Sequence, residues 1–202
     1  MLGSSGHEYE DGLFEYAVTD YCARVPDSDT GVKALTNALQ NYGTYAWQYF
    51  RPASVTEPTL ATTEDMTGIT AETFASNRVT QSKERINGLS LKTIFLVLES
   101  ETTIKLRFET SDPLSDFTIT GGNATATQTG FVVDIPNITA KNLDATQTVT
   151  VKKGSETLTV TCTALSYPYS VLTYRHDGDD ALVNVVKALY LYNVAANNYF
   201  TD

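Results

Sequence analysis

Residues 27–50 read DSDTGVKALTNALQNYGTYAWQYF and residues 177–200 read DGDDALVNVVKALYLYNVAANNYF, and these two stretches decide the fold. Aligned with a shift of 150 positions, they share eight identities in 24 positions. Six of the identities lie on or next to the apolar face of a helix. The match indicates a duplicated unit. The alternative is that any two amphipathic helices share alanine, leucine and aromatic positions.

Both stretches predict a long amphipathic helix. Acidic and hydroxyl side chains at 27–30 can accept hydrogen bonds from the free N–H groups at a helix start, and Pro52 ends that helix. The helix in the stretch at 177–200 begins near Asp179 or Asp180. Each helix must bury its apolar stripe, and neither has a partner nearby in the chain. We therefore expect residues 12–52 and 172–202 to form one helical cluster.

A shorter helix is predicted from about Gly12 to Arg24, where Pro26 stops it. Its apolar residues recur at spacings of three and four: Phe14, Ala17, Val18, Tyr21 and Val25. Residues 1–11 are small and rich in glycine and serine at their start, so they are interpreted as an expression scar or linker.

The pattern between the helices is that of β-strands. Residues 53–71 lack periodicity and predict a linker, and residues 72–171 predict the sheet domain. Short runs of alternating or apolar residues are separated by turn signals. The predicted strands are Phe74–Thr80, Ser90–Leu98, Thr102–Glu109, Asp116–Thr120, Ala124–Thr129, Phe131–Ile135, Thr146–Lys152 and Glu156–Cys162. The predicted fold is α+β, with an antiparallel Ig-like β-sandwich of seven or eight strands packed against a three-helix cluster.

The charge balance excludes some partners. The chain carries 14 Lys+Arg against 24 Asp+Glu, a net charge of −10, and shows no basic stripe that could hold phosphates. We expect no nucleic-acid partner. The longest apolar run, Ile94–Leu98, is far shorter than the roughly 20 residues that a membrane-spanning helix needs, so no membrane span is predicted.

Several motifs describe how the chain packs. Residues 39–50 carry the pattern LQNYGTYAWQYF, residues 98–104 read LESETTI, and residues 167–170 and 188–193 read YPYS and ALYLYN. These motifs resemble the helix-plus-β modules of secreted cell-surface proteins of gut and rumen Clostridia. Such modules occur in polysaccharide-adherence proteins that bind starch or cellulose. The resemblance implies an extracellular, cell-surface location and provides no catalytic residues.

Aromatic residues are the best candidates for binding. Sugar sites combine a flat ring with amides and carboxylates. Trp47 lies outside the main apolar stripe of its helix, with Gly43 one turn earlier and Gln40 two turns earlier. Tyr45 lies at the opposite margin, and Tyr190 is a similar candidate on the C-terminal helix. The alternative is that these rings pack at a domain interface.

Other chemistry has weaker support. Glu99 and Glu101 have a spacing that a glycosidase pair could use, but Glu-Ser-Glu between strands is normally a solvated bend. His176 lies in a polar loop, and its neighbouring aspartates are explained by helix capping. We expect no catalytic residues, no metal site and no cofactor.

The two cysteines leave an alternative open. In a secreted chain, Cys22 and Cys162 invite a disulfide that staples helix to sandwich. The other interpretation is two separate buried thiols, each acting as a small hydrophobic residue.

These observations predict a non-catalytic extracellular carbohydrate-binding module within a bacterial surface or polysaccharide-degrading assembly. Its partners would be a polysaccharide or oligosaccharide and the other modules of the parent protein. The alternative function is a structural spacer or protein-interaction module. A binding module should expose an aromatic ring in a groove beside amides or carboxylates, whereas a spacer should bury such rings.

Overall fold

The computed structural model describes residues 7–8, 14–15, 18–51, 57–98, 102–174 and 180–201. The chain divides into two compact units, Met1–Met66 with Asp180–Asp202, and Thr67–Asp179. We call the first the helical unit and the second the β unit. Within these ranges the α-helices are α1 (Val18–Arg24), α2 (Thr30–Phe50), α3 (Ser166–Tyr174) and α4 (Asp180–Phe200). Helices α1, α2 and α4 belong to the helical unit, and α3 belongs to the β unit.

The two long helices of the helical unit pack against each other. The rings of Tyr42 on α2 and Tyr192 on α4 lie 6.0 Å apart and are nearly parallel. Gly31 at the start of α2 lies against Tyr199 at the end of α4, where an added methyl group would be 3.4 Å from the ring. The helices are therefore antiparallel. Burial, and next the neighbouring Tyr192, raise the pKa of the Tyr42 hydroxyl, as expected for a ring inside this contact.

The repeat that is visible in the sequence has a structural counterpart. Helices α2 and α4 are both 21 residues long, and their bounds differ by 150 positions at each end. Their last two residues form matching edge-on ring pairs, with centroids 4.9 Å apart in Tyr49–Phe50 and also in Tyr199–Phe200. The stacked Tyr42 and Tyr192 occupy equivalent positions in the two copies.

Local capping explains where α2 begins and ends. The Asp29 carboxylate accepts a hydrogen bond from the Val32 amide at 3.1 Å, which is the capping role that the sequence predicted. At the other end Arg51 adopts a left-handed conformation with φ of 45°, and its amide donates to the Trp47 carbonyl. The helix thus ends before Pro52, which lies outside the described residues.

Residues 57–66, which we call the strap, are held against α2 by side chains of that helix. The Asn41 amide donates to the Thr62 carbonyl at 2.9 Å and accepts from the Ala61 amide at 2.7 Å. Gln40 and Thr44 both donate to the Thr59 carbonyl, at 2.9 and 3.1 Å. The aperiodic residues of the strap, which the sequence predicted to be part of a linker, thus have a fixed position in the helical unit.

The first helix is shorter than the sequence predicted. Helix α1 begins at Val18 rather than near Gly12. Within the expected helix, β2 (Phe14–Glu15) instead pairs antiparallel with β1 (His7–Glu8). Tyr21 was expected on the buried stripe but is 63% exposed, whereas the neighbouring Cys22 is buried, so α1 packs on a different face from the one predicted.

The β unit contains two antiparallel sheets of four strands each. Its strands are β3 (Thr80–Gln81), β4 (Ser90–Leu98), β5 (Thr102–Glu109), β6 (Thr118–Thr120), β7 (Asn123–Thr127), β8 (Gly130–Ile138), β9 (Gln147–Lys153) and β10 (Glu156–Cys162). One sheet has the order β3-β10-β9-β6 and the other β4-β5-β8-β7. The predicted α+β class and antiparallel pairing are confirmed, and the predicted bounds of β4, β5 and β10 are correct.

A shared apolar core lies in the β unit. Phe117 immediately precedes β6 of one sheet, and Phe131 belongs to β8 of the other. The centres of their rings lie 5.3 Å apart. Phe131 also stacks on Phe108 at 5.1 Å. Side chains that alternate along the strands are buried, as strand geometry requires. They include Ile104, Leu106, Val133, Val149, Val151, Leu158 and Val160.

Strands β6 to β9 have bounds that differ by up to three residues from the prediction, and two segments of the β unit differ in the kind of structure they form. The strand predicted at Phe74–Thr80 is mostly a 3₁₀ helix at Ala71–Asn77, whose buried Phe74 fills the core from a helical turn. Helix α3 was not predicted. It is rich in aromatic and β-branched residues, which favour strands when taken alone, and its buried Pro168 and Val171 show that packing sustains it.

Candidate functional site

A groove of about 370 Å³ lies in the helical unit between α2, α4 and the strap. Small residues of α2 form one wall, and residues of α4 form the other. The lining consists of Gly31, Ala34, Ala38, Glu64, Asp65, Leu191, Val194, Ala195, Asn198 and Tyr199. We call this the helix groove. The small side chains of Gly31, Ala34 and Ala38 leave room for a ligand to approach the helix backbone.

Tyr199 provides an aromatic ring at the helix groove. It is 38% exposed, lies against Gly31 and is braced edge-on by Phe200. A partly exposed ring with a fixed edge is a platform on which a flat apolar surface can stack. Asn198, the residue before it, adds an amide that can both donate and accept hydrogen bonds.

Two carboxylates of the strap line the same groove. Oε2 of Glu64 is buried and has no hydrogen-bond partner among the described residues. Desolvation raises the pKa of Glu64 above its ordinary value, while a hydrogen bond with Asn41 acts in the opposite direction. A buried carboxylate oxygen without a partner can accept a hydrogen bond from a bound ligand. Asp65 is the second carboxylate of the lining.

The residues predicted as ligand contacts divide between two sides of α2. Gln40 and Trp47 lie seven positions apart, so they lie within about 20° of each other around the helix. The Gln40 amide donates to the strap, and Trp47 is half-buried. Gly43 is exposed, with open space where a side chain would be, and the shelf beside Trp47 stays a prediction.

Tyr45 lies on another face of α2, about 140° from Gln40. Desolvation and then the charge of Glu64 raise the pKa of Tyr45. Tyr190 is half-buried on α4. Neither Tyr45 nor Tyr190 lines the helix groove.

Sequence reasoning missed the polar groups of the helix groove. Tyr199 is one of the repeat identities on or next to the apolar face, and its position in the last turn was the only sequence signal of exposure. Glu64 and Asp65 lie in an aperiodic segment, whose path along α2 depends on the buried Asn41. Only the tertiary structure brings these residues together.

Several weaker candidates lie outside the described residues: Glu99, Glu101, His176, Asp177 and Asp179. Within the described ranges, no group of three or more His, Cys, Asp or Glu side chains is arranged to hold a metal ion. No helix in those ranges combines the length and apolar character needed to cross a membrane.

Both cysteines are buried free thiols in the structure, and the choice between a disulfide and two separate thiols stays a prediction. Cys22 lies in the helical unit and Cys162 in the β unit. Burial raises the pKa of Cys162 to about 11 and raises that of Cys22 as well. Both groups are therefore protonated and unreactive at neutral pH.

Comparison with protein-family models, with curated proteins and with solved structures finds no match. The resemblance to clostridial surface modules thus stays a prediction, and function must be argued from the geometry of this chain.

Proposed function

We propose that this protein is a non-catalytic extracellular carbohydrate-binding module of a bacterial surface or polysaccharide-degrading assembly, and that the helix groove is its binding site. The observation that carries the proposal is the half-exposed Tyr199 ring beside the Asn198 amide and two strap carboxylates. An exposed ring in a groove with such groups is what a binding module requires and a spacer does not.

In this proposal a sugar ring lies with its apolar face on the exposed part of the Tyr199 ring. The side of the ring that faces α2 already packs against Gly31, so the sugar approaches from the groove. Hydroxyl groups of the sugar donate to Glu64 and Asp65, and the Asn198 amide both donates and accepts. The unpartnered Oε2 of Glu64 gains a hydrogen bond on binding, which offsets part of its desolvation.

This donor and acceptor set favours a neutral saccharide. Both charged side chains of the lining are carboxylates, so a sugar that carries its own carboxylate would be repelled. Sugar hydroxyls, in contrast, are good donors to carboxylates. In the β unit, we infer that the two four-stranded sheets form an Ig-like β-sandwich, which is a rigid scaffold common in extracellular modules.

Retention on insoluble polysaccharide tests the proposal. The full chain should be retained on at least one of starch, cellulose and mucin, and Tyr199→Ala should weaken binding about tenfold, since a stacked ring contributes on the order of 1.5 kcal/mol. Tyr21→Ala is the matched control, because Tyr21 is 63% exposed in the same unit but does not line the helix groove.

Trp47→Ala distinguishes the two places where a sugar could bind. Trp47 does not line the helix groove, so this variant should be retained like the unmodified chain. Loss of retention in Trp47→Ala with full retention in Tyr199→Ala would move the site to the shelf beside Gly43. If the unmodified chain is retained on none of the three glycans, the proposal that it binds these polysaccharides is wrong.

A protein-interaction module is the second candidate function. It is favoured by two exposed rings, Phe50 and Phe200, at the ends of α2 and α4. Exposed aromatic rings are enriched where proteins bind one another. If the chain is retained on none of the glycans but Phe50→Ala abolishes binding to a neighbouring module of the parent protein, this function is the correct one.

A further inference from the structure

A second cavity, of about 520 Å³, opens at one side of the β unit. Strands β3 and β4 are edge strands, each at the end of its own sheet, and α3 lies beside them. The cavity is lined by residues from all three elements and from the segment before β3. We call it the edge cavity. Its lining includes Arg78, Gln81, Lys92, Tyr169, Ser170 and Tyr174.

Lys92 is a lining residue of the edge cavity and lies at a β-bulge. On β4, Leu91 pairs with Phe108 and Thr93 pairs with Arg107, so Lys92 is an extra residue without a partner position on β5. A bulge on an edge strand re-aims a side chain and is common beside functional sites. The Lys92 ammonium also contacts the Glu109 carboxylate at 3.1 Å, with both side chains nearly half exposed, so water and ligand can compete for it.

Arg78 is the second cation of the edge cavity. Its guanidinium lies 5.0 Å from the centre of the Tyr169 ring on α3. The residue before it, Asn77, is held by hydrogen bonds to the first residue of α3 and to the segment that precedes α3. The Ser166 hydroxyl donates to the Asn77 carbonyl, and the Asn77 amide donates to the Thr163 hydroxyl at 3.2 Å. Arg78 is thus attached to a rigid support while its charged end remains exposed.

The charge of the edge cavity is opposite to that of the chain. Its lining contains two cations and no carboxylate, although the chain as a whole has a net charge of −10. The remaining polar groups are hydroxyls and the Gln81 amide. Tyr174, at the end of α3, is 75% exposed and presents its ring at the rim. The combination fits a ligand with a negative charge, several hydroxyls and an apolar face.

We propose that the edge cavity binds a hexuronate unit of an acidic polysaccharide. The uronate carboxylate contacts the Arg78 guanidinium and the Lys92 ammonium, which form charge-assisted hydrogen bonds. The sugar ring lies against Tyr174, and its hydroxyls bond Gln81 and Ser170. This site differs from the helix groove in unit, charge and ligand class, so it does not depend on the proposed function of that groove.

Calorimetric titration of the full chain with trigalacturonate tests the proposal. Trigalacturonate should bind, with an affinity that falls as the salt concentration rises, because the contact is ionic. Maltotriose, a neutral trisaccharide, should bind at least tenfold more weakly than trigalacturonate in the Tyr199→Ala chain, where binding in the helix groove is weakened. Inorganic phosphate at the same concentration is the control for a simple anion. If phosphate binds as tightly as trigalacturonate, the assignment of the cavity to a sugar is wrong.

Variants locate the binding. Arg78→Gln and Lys92→Gln should each weaken trigalacturonate binding about tenfold or more, as expected for a lost charge-assisted hydrogen bond. Arg85→Gln is the matched control, since Arg85 is exposed in the same unit but does not line the edge cavity. Tyr199→Ala, in the helix groove, should have no effect. Unchanged affinity in both Arg78→Gln and Lys92→Gln, with folding verified by circular dichroism, would overturn the proposal.

Discussion

Asn41 holds the strap to α2, and replacing it with leucine tests how the helix groove is built. The side chain is fully buried, and its amide makes hydrogen bonds to the backbone of Ala61 and Thr62. Leucine has the same branching, with two methyl groups in place of the amide oxygen and nitrogen, and it stands at the equivalent position 191 of α4, so the substitution removes the hydrogen bonds while keeping the branched shape.

The expected cost follows from what happens to the released backbone groups. Two buried groups left without partners would cost on the order of 1–3 kcal/mol each. Thr62 is exposed and Ala61 is half-buried, so the strap can lift and water can solvate both groups. The loss then approaches the net value of two hydrogen bonds, about 1–3 kcal/mol in total.

Urea unfolding and amide hydrogen exchange measure both effects. Asn41→Leu should lower the free energy of unfolding by about 1–3 kcal/mol. It should also accelerate exchange of the Ala61 amide, which donates to the Asn41 oxygen. Asn37→Leu makes the same change one turn earlier on α2 and should alter stability by only about 0.5 kcal/mol. Unchanged stability together with unchanged Ala61 exchange in Asn41→Leu would refute this account of the strap.

Three further predictions concern titration, thiols and the core. Desolvation raises the pKa of Glu64 in the folded protein. The stability associated with protonated Glu64 is therefore fully present below the ordinary pKa of 4.5 and is lost as the pH rises through the folded pKa. Glu64→Gln should therefore unfold at higher urea than the unmodified chain at pH 7, and a difference that persists below pH 4 would contradict this. Cys22 and Cys162 should both react with a thiol reagent when the protein is unfolded without a reducing agent, and both should react only slowly when it is folded. If the unfolded, unreduced protein shows no reactive thiols, the two cysteines form a disulfide. Phe108→Ala should cost about 3–5 kcal/mol in urea unfolding, because the ring is fully buried, while Phe50→Ala at an exposed site should cost about 0.5 kcal/mol; equal losses would contradict the assigned core.

The long helices could be predicted because several local signals agree in the sequence. The apolar stripe recurs at helical spacing, Asp29 is a good cap, and a proline follows the end of α2. The strands from Ser90–Leu98 and Thr102–Glu109 alternate or are apolar over their whole length. In such segments local preference and tertiary packing favour the same structure, so the pattern alone is sufficient.

The rest depended on contacts between residues that are distant in sequence. Helix α3 exists because Ser166 bonds the Asn77 carbonyl and the Thr163 amide, and its own residues favour strands. Residues 71–77 alternate too little to distinguish a 3₁₀ turn from a short strand. The helix groove needs a strap held by Asn41, and the edge cavity needs a bulge at Lys92. A register shift of this kind has no signature in a single sequence.

Amide chemical-shift mapping during titration with maltohexaose and cellohexaose tests most directly whether the helix groove is the binding site. The account predicts that at least one of these neutral sugars shifts the backbone amides of Gly31, Ala34 and Asn198. Shifts confined to Gly43 and Trp47, or no shift with either sugar, would contradict it.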